Sequence, residues 1–434
     1  MTTTTQVEPQ TVPDEIARAV ILPASYADLD GTVYPAFRWL RENAPLALAK
    51  VDGYDPIWIV AKHHDNQTVL RNAELFNNAG ANIMLQPQAG DAYLRDLLGG
   101  NTHVLNNLSY MEPPEHTRYR QAIAHEFLPA QVRKFAPRFK EIAIGAVDHF
   151  MEHEGEVDVV RELSARYPLN AVLEMLGVPP EDYDLMLKIT QDTFGGDDPD
   201  WVRDDVEMSP EAAAKQWQLA VEDAYEYFEG IRKDRLANPR DDLATAIVTA
   251  KLDNGELMPE RIQNHMALSI AIAGHDTTNS AIAAGMHGLA LFPDQLEKVK
   301  AEPKLVPGLV EESLRWATPA KHFTRDATAD TELSGVPIKA GDRLMCAFVS
   351  ANFDEDVFPD AHRFDVTRRP NPHMAFSFGP HVCLGQHIAK IEMRALFEEL
   401  IPRLGSLELA GEPRLKVSNF VSGFKSLPVR FTKA

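Results

Sequence analysis

Phe376-Ser377-Phe378-Gly379-Pro380-His381-Val382-Cys383-Leu384-Gly385 runs straight into a helical stretch from Gln386 to Leu400. One cysteine therefore sits where a glycine-bearing loop becomes a helix. The N–H groups of Leu384, Gly385 and Gln386 find no acceptor within that helix, and the positive end of its dipole faces the sulfur. Both effects favour the thiolate, the form that binds a metal or attacks an electrophile. Gly379 and Gly385 let the backbone lie against something flat and large. His381, two residues before the cysteine, can donate a hydrogen bond to an anionic group. The bland alternative is a free buried cysteine at a helix start.

Upstream, Pro259 to Leu291 is the longest uninterrupted helical pattern, about 50 Å at 1.5 Å per residue. Its middle, Ala273-Gly274-His275-Asp276-Thr277-Thr278, is poor helix material: a glycine, an aspartate and paired β-branched threonines. Such a fault fits a widened turn at a functional site, or an N-cap joining two shorter helices. Glu312 and Arg315 share one helix face and can pair, and Pro114 opens a helix that puts His116 and Arg120 on one face. Alone, these last two are common patterns. Periodicity predicts further helices over Ala130–His153, Pro168–Leu176, Glu181–Phe194, Ser209–Ala237, Asp294–Ala301 and Val306–Trp316. Strands are expected near Ile57–Val60, Ala327–Thr331, Arg343–Val349 and Leu427–Phe431. Asn77 to Leu108 reads as a long, partly apolar loop, and Gly195 to Glu207 as an acidic mobile connector.

The cysteine loop resembles the haem-binding loop of the cytochrome P450 family, Phe-Gly-x-Gly-x-(His/Arg)-x-Cys-x-Gly. Ser377 stands where that family usually has its first glycine. Ala273-Gly274-His275-Asp276-Thr277 is similar to the family's oxygen-groove motif, and Glu312-Ser313-Leu314-Arg315 to its Glu-x-x-Arg pair. The resemblance implies a mainly α fold with a small β region (α+β). It implies a single domain of about a dozen helices, with haem b (iron protoporphyrin IX) between the long central helix and the cysteine-loop helix. It makes Cys383 the proximal iron ligand, among Phe376, Gly379, His381 and Gly385 as cofactor-binding residues. Thr277 would hydrogen-bond dioxygen and Asp276 relay protons, while Ala273 and Gly274 leave room over the haem. His116, Arg120 and Arg325 would hold the haem propionates, with His381. Arg363 would join Glu312 and Arg315 in a structural ion-pair cluster. The substrate pocket would draw on Phe194, Ala273, Thr277, Ala320, Phe323 and Val421, with Ile189 and Thr193 nearby. Pro35–Arg41, Gly53–Ile59 and Cys383–His387 are similar to the soluble bacterial member that hydroxylates α-terpineol.

Among 434 residues, 44% hydrophobic and 25% charged, there is no composition break, so residues 15–434 read as one domain behind a flexible 1–14. Net charge is −21, which argues against nucleic acid and anionic membranes as general partners. Two cysteines exclude a disulfide framework and suit a reducing cytoplasm. Cys346, inside the apolar run Leu344–Val349, reads as a buried structural thiol. Neither a signal peptide nor an apolar run of about eighteen residues is readable, so no membrane anchor is expected. His63-His64 and His103 have no second pair at ligand spacing and read as surface histidines.

No flavin or nicotinamide fingerprint occurs in the chain. The resemblance therefore implies a monooxygenase using O2 and two electrons from an iron–sulfur ferredoxin and an NAD(P)H-dependent ferredoxin reductase. Arg118, Lys390 and Arg394 are candidates for the basic docking patch. The substrate would be a small hydrophobic molecule, a monoterpenoid or a cyclic or aromatic hydrocarbon. Two rivals remain. A peroxide-dependent peroxygenase would replace the acid–alcohol pair, which is present here. A haem-binding sensor or carrier would need neither that pair nor an apolar distal pocket.

Overall fold

A computed structural model describes residues 11–78, 82–153, 155–194, 198, 200 and 209–434, without the side chains of residues 191 and 194. The connector expected between Gly195 and Glu207 lies almost wholly outside them. Sixteen α-helical segments are present among the described residues, and the excess over a dozen consists of short pieces such as Phe348–Ala351. The helix after the cysteine spans Gln386–Leu400. The central helix, Glu260–Leu291, has 32 residues and runs as α-helix throughout, with neither a widened turn nor a break.

Two cores explain why a sequence poor for helix stays helical there. Ile262 to Ile272 pack into one apolar cluster with Leu169, Val172 and Trp217. Ala281 to Leu289 pack into another with Leu309, Leu314, Met393 and Leu396. The polar stretch 273–280 falls between them, and burial at both ends carries the helix through it. Being surrounded, this helix needs no apolar stripe.

A five-stranded mixed sheet has the order Leu46–Ala49, Ile57–Val60, Arg343–Ala347, His322–Ala327, Phe76–Asn77. Ile57–Val60 runs parallel to Arg343–Ala347, and the other pairs are antiparallel. Phe323 and Arg325 share one face of their strand, two residues apart. Cys346 is fully buried in this sheet, and burial pushes its thiol up to about 12. The strand expected over Ala327–Thr331 is two pieces: one ends at Ala327, and Thr331–Leu333 opens a hairpin with Val336–Ile338. The supposed loop from Asn77 to Leu108 contains a helix, Gln88–Leu97. Its Gly90 and Asp91 are weak helix formers that packing overrides.

Behind the cysteine loop lies a buried ion-pair cluster. Glu312 and Arg315 both have side chains 0% exposed. Arg315 Nη2 and Nε donate to Glu312 at 2.7 and 2.9 Å. Arg315 also donates to the carbonyls of Asn352 and Ala361, both at 2.9 Å. Glu312 accepts from the Asp365 N–H and Asn371 Nδ2, both at 3.0 Å. The third cation is Arg368, whose Nε lies 3.3 Å from both Glu312 oxygens. It is not Arg363. Phe364 is fully buried, so its neighbour Arg363 turns outward, pairing with Asp294 at 2.7 Å. Only the Arg363 carbonyl faces the cluster, 3.4 Å from Arg315 Nη2.

Removing one partner of a buried pair strands the other's charge. Arg315→Ala should cost about 3–5 kcal/mol, and Arg368→Ala about 1–3 kcal/mol. Arg363→Ala, at an exposed pair, should stay within about 1 kcal/mol. Urea unfolding of the three variants checks this, and equal losses for Arg363 and Arg368 would contradict the assignment.

Candidate active site

Backbone hydrogen bonds fold the cysteine loop onto itself. The N–H of Cys383 donates to the Phe376 carbonyl at 2.8 Å, and that of Val382 to Gly379 at 3.1 Å. Ser377 adopts φ 61°, a left-handed conformation that costs an L-residue roughly 1–2 kcal/mol. That geometry is the reason glycine is usual there. Gly379 has φ +73°, and a Cβ on it would fall 2.2 Å from the Leu70 carbonyl oxygen. Its smallness serves the packing of the loop against helix His63–Arg71, and it is not part of the cavity lining. Gly385 does line the cavity.

Cys383 is exposed to a cavity of about 290 Å³. Burial holds its thiol above the ordinary range, against the opposing pull of the Gly385 N–H, Arg120 and the Gln386 N–H. The helix start therefore lowers the thiol less than burial raises it. A metal cation at Sγ would reverse that balance.

Ala273, Gly274 and Thr277 form part of the wall contributed by the central helix. Thr277 Oγ1 donates to the Ala273 carbonyl at 2.7 Å. A Cβ on Gly274 would lie 2.8 Å from Val172 Cγ2, so this glycine also sets how closely helix Arg166–Leu176 approaches. Asp276 is buried behind the wall, in an ion pair with Lys416, itself buried. Burial opposes its charge, but Lys416 and His275 outweigh that and hold its carboxyl below the ordinary range. His275 in turn bonds Thr190 at 2.9 Å and the Ala165 carbonyl at 2.8 Å.

One edge of the cavity is cationic. His116, Arg120, Arg325 and His381 converge there. Arg120 donates to the Val382 carbonyl at 2.7 Å, and Arg325 to the Thr324 carbonyl at 2.7 Å. The His116 and His381 rings are 4.2 Å apart. Glu112 approaches no closer than 4.0 Å to His381 Nε2. His116 Nε2 is buried without a hydrogen-bond partner, and burial lowers this imidazole to about 4. A soft sulfur donor, a wall bare beyond Cβ at Ala273 and Gly274, and an edge of under-used donors suit a flat iron macrocycle with two carboxylates. The residues present fit haem.

Residues 52–408 match the cytochrome P450 family. The chain belongs to that family. It is 45% identical over 425 residues to cytochrome P450-terp of a Pseudomonas species, covering 98% of this chain and 99% of that one. It is 33% identical to a steroid C26-monooxygenase of Mycobacterium tuberculosis, over 92% of this chain and 93% of the relative. The crystal structure of CYP108D1 from Novosphingobium aromaticivorans superposes with a TM-score of 0.90 at 38% identity, over 98% of this chain and all of that one. The protein is therefore a haem-dependent P450 monooxygenase that uses dioxygen and redox partners. No described helix is long and apolar enough to cross a membrane.

Of the expected pocket residues, Ala273, Thr277, Ala320 and Phe323 line the cavity. Val421 lies behind it, paired as a β-bridge with Ala320. Ile189 and Thr193 are buried outside the lining, and the Phe194 side chain is outside the described residues. Met266, Ile270 and Val172 line it without having been singled out. They are apolar helix residues, alike in sequence whether they face a core or a cavity. Glu392 also lines it; burial pushes its carboxyl well above the ordinary range, against a hydrogen bond with Thr278. The proposed basic patch is charge-compensated: Arg118 pairs with Asp253, Lys390 with Glu311 and Arg394 with Glu398.

Two predictions follow from the loop. Ser377→Gly should relieve the left-handed strain and stabilise the protein by about 1 kcal/mol, seen as a higher unfolding midpoint; a lower one would sink the argument. Cys383→Ser should lose the red-shifted Soret band of the reduced, carbon-monoxide-bound protein, or the haem itself, while Cys346→Ser keeps both.

Proposed function

We propose that this monooxygenase hydroxylates a small apolar molecule, a monoterpenoid or a cyclic or aromatic hydrocarbon. The observation that carries the reading is the lining of the cavity: Leu108, Val172, Met266, Ile270, Ala320 and Phe323. The acidic and basic side chains in that lining are Arg120 and Arg325 at the cationic edge and Glu392, whose carboxyl burial raises well above its ordinary range. Away from that edge the lining is mostly apolar, and apolar burial contributes about 25 cal/mol per Å². Similarity to cytochrome P450-terp along nearly the whole chain supports the same class.

Bound in the cavity, haem supplies oxidation chemistry through an iron with a thiolate ligand, which favours O–O cleavage. Cys383 holds the iron, and His116, Arg120, Arg325 and His381 hold the carboxylates by charge-assisted hydrogen bonds. The Thr277 hydroxyl, released from the Ala273 carbonyl, donates into the space above Ala273. Asp276 brings protons to Thr277, which requires it to part from Lys416. Two electrons come from a ferredoxin and its NAD(P)H-dependent reductase, in the cytoplasm.

Titrating the ferric holoprotein with monoterpenoids and small arenes should give a low-to-high-spin Soret shift with roughly micromolar affinity for ligands of this size. Long-chain fatty acids should shift it weakly. If fatty acids bind tightest and terpenoids are silent, the substrate class is wrong. Thr277→Ala should bind haem and substrate normally yet divert electrons from product to peroxide. Unchanged coupling would remove the role given to its hydroxyl.

A further inference from the structure

We propose that His149, His153 and Glu162 form a binding site for a divalent transition-metal cation, Zn2+ above all, outside the haem cavity. His149 lies in the last turn of helix Ala136–Glu152 and His153 caps it. Their spacing puts both imidazoles on one helix face, with ring centroids 5.3 Å apart and planes at 89°. Glu162 comes from the turn Val160–Ser164. Its Oε2 is 2.9 Å from His149 Nε2 and 3.5 Å from His153 Nε2. All three donor atoms lie within 4.8 Å of one another. Ligands held about 2.0–2.2 Å from a tetrahedral zinc are separated by roughly 3–3.5 Å, so small side-chain rotations complete the set.

Three further features separate this cluster from an ordinary surface ion pair. His153 Nε2 is buried yet makes no hydrogen bond, so Glu162 alone does not satisfy it. The other Glu162 oxygen faces the exposed Arg161 Nε at 3.0 Å, which leaves Oε2 on the side of the imidazoles. There is also a way in. His149 and Glu162 border a surface groove of about 470 Å³, leaving room for a water as fourth ligand.

Two imidazoles and one carboxylate suit zinc, and copper or nickel by the usual order of affinities, better than calcium or magnesium. A cation here would tie the end of one helix to the turn that leads into Arg166–Leu176. That helix carries Val172, the residue against Gly274 in the distal wall. Spacing alone offers the His149–His153 pair, but the third ligand arrives from a turn beyond the intervening strand, which only the fold brings close.

The test uses chelator-treated haem-loaded protein, in which Cys383 is occupied by iron, titrated calorimetrically with ZnCl2. Wild type should take up about one Zn2+ per chain with micromolar or tighter affinity. His149→Ala, His153→Ala and Glu162→Gln should each weaken uptake by about tenfold or more. Arg138→Ala, in the same groove but not a ligand, should bind as wild type does. Zn2+ should raise the melting temperature of wild type and not of His149→Ala. These side chains are 49%, 38% and 18% exposed, so the variants should fold, as an unchanged carbon-monoxide Soret band verifies. Equal binding by wild type and both histidine variants, or none by wild type at about 100 µM ZnCl2, overturns the proposal.

Discussion

Glu312 and Arg315 sit with side chains wholly out of water, and that constraint reaches the loop that carries Cys383. A guanidinium with no solvent must find an acceptor for each donor. Arg315 finds them in the carboxylate and in the carbonyls of Asn352 and Ala361. Asn352 then accepts from the Met374 N–H at 2.6 Å, at the threshold of the cysteine loop. The segment from Asn352 to Met374 has little regular structure of its own. It is positioned by polar satisfaction rather than by a ladder of secondary structure.

The cavity shows the same physics with charge left over. Among the groups described at its rim, His116, Arg120, Arg325 and His381 face one carboxylate, Glu112. In a chain of net charge −21 this local excess of donors is unusual, and it is what a dianionic cofactor edge compensates. Asp276 shows the opposite arrangement. Lys416 pairs with Oδ1, which holds the carboxyl below its ordinary range and away from the cavity lining, while Oδ2 has no hydrogen-bond partner. Any proton it delivers depends on loosening that pair.

The distal wall is firm because the central helix is anchored on both sides of its polar stretch. Gly274 admits Val172, and a side chain there would force the two helices apart. Room over the sulfur and helix packing thus depend on the same missing Cβ.

The chain by itself determined the elements whose signal is local. The cysteine at a helix start and the Gln386–Leu400 helix follow from spacing and glycine placement within a few turns, and the length of the central helix from its periodicity, though its continuity through residues 273–280 rests on packing. Family motifs singled out Cys383, Thr277, His116, Arg120, Arg325 and His381, which the fold gathers around one cavity, and Asp276, which it places behind the wall. Tertiary structure alone decided matters that depend on distant partners. Arg368 rather than Arg363 completes the buried cluster, because burial of Phe364 turns its neighbour outward. Lys416 meets Asp276 across 140 residues of chain. Gly379 serves Leu70 rather than the cofactor. Each of these is a question of which side chain loses water and to whom it turns, and linear spacing carries no record of that.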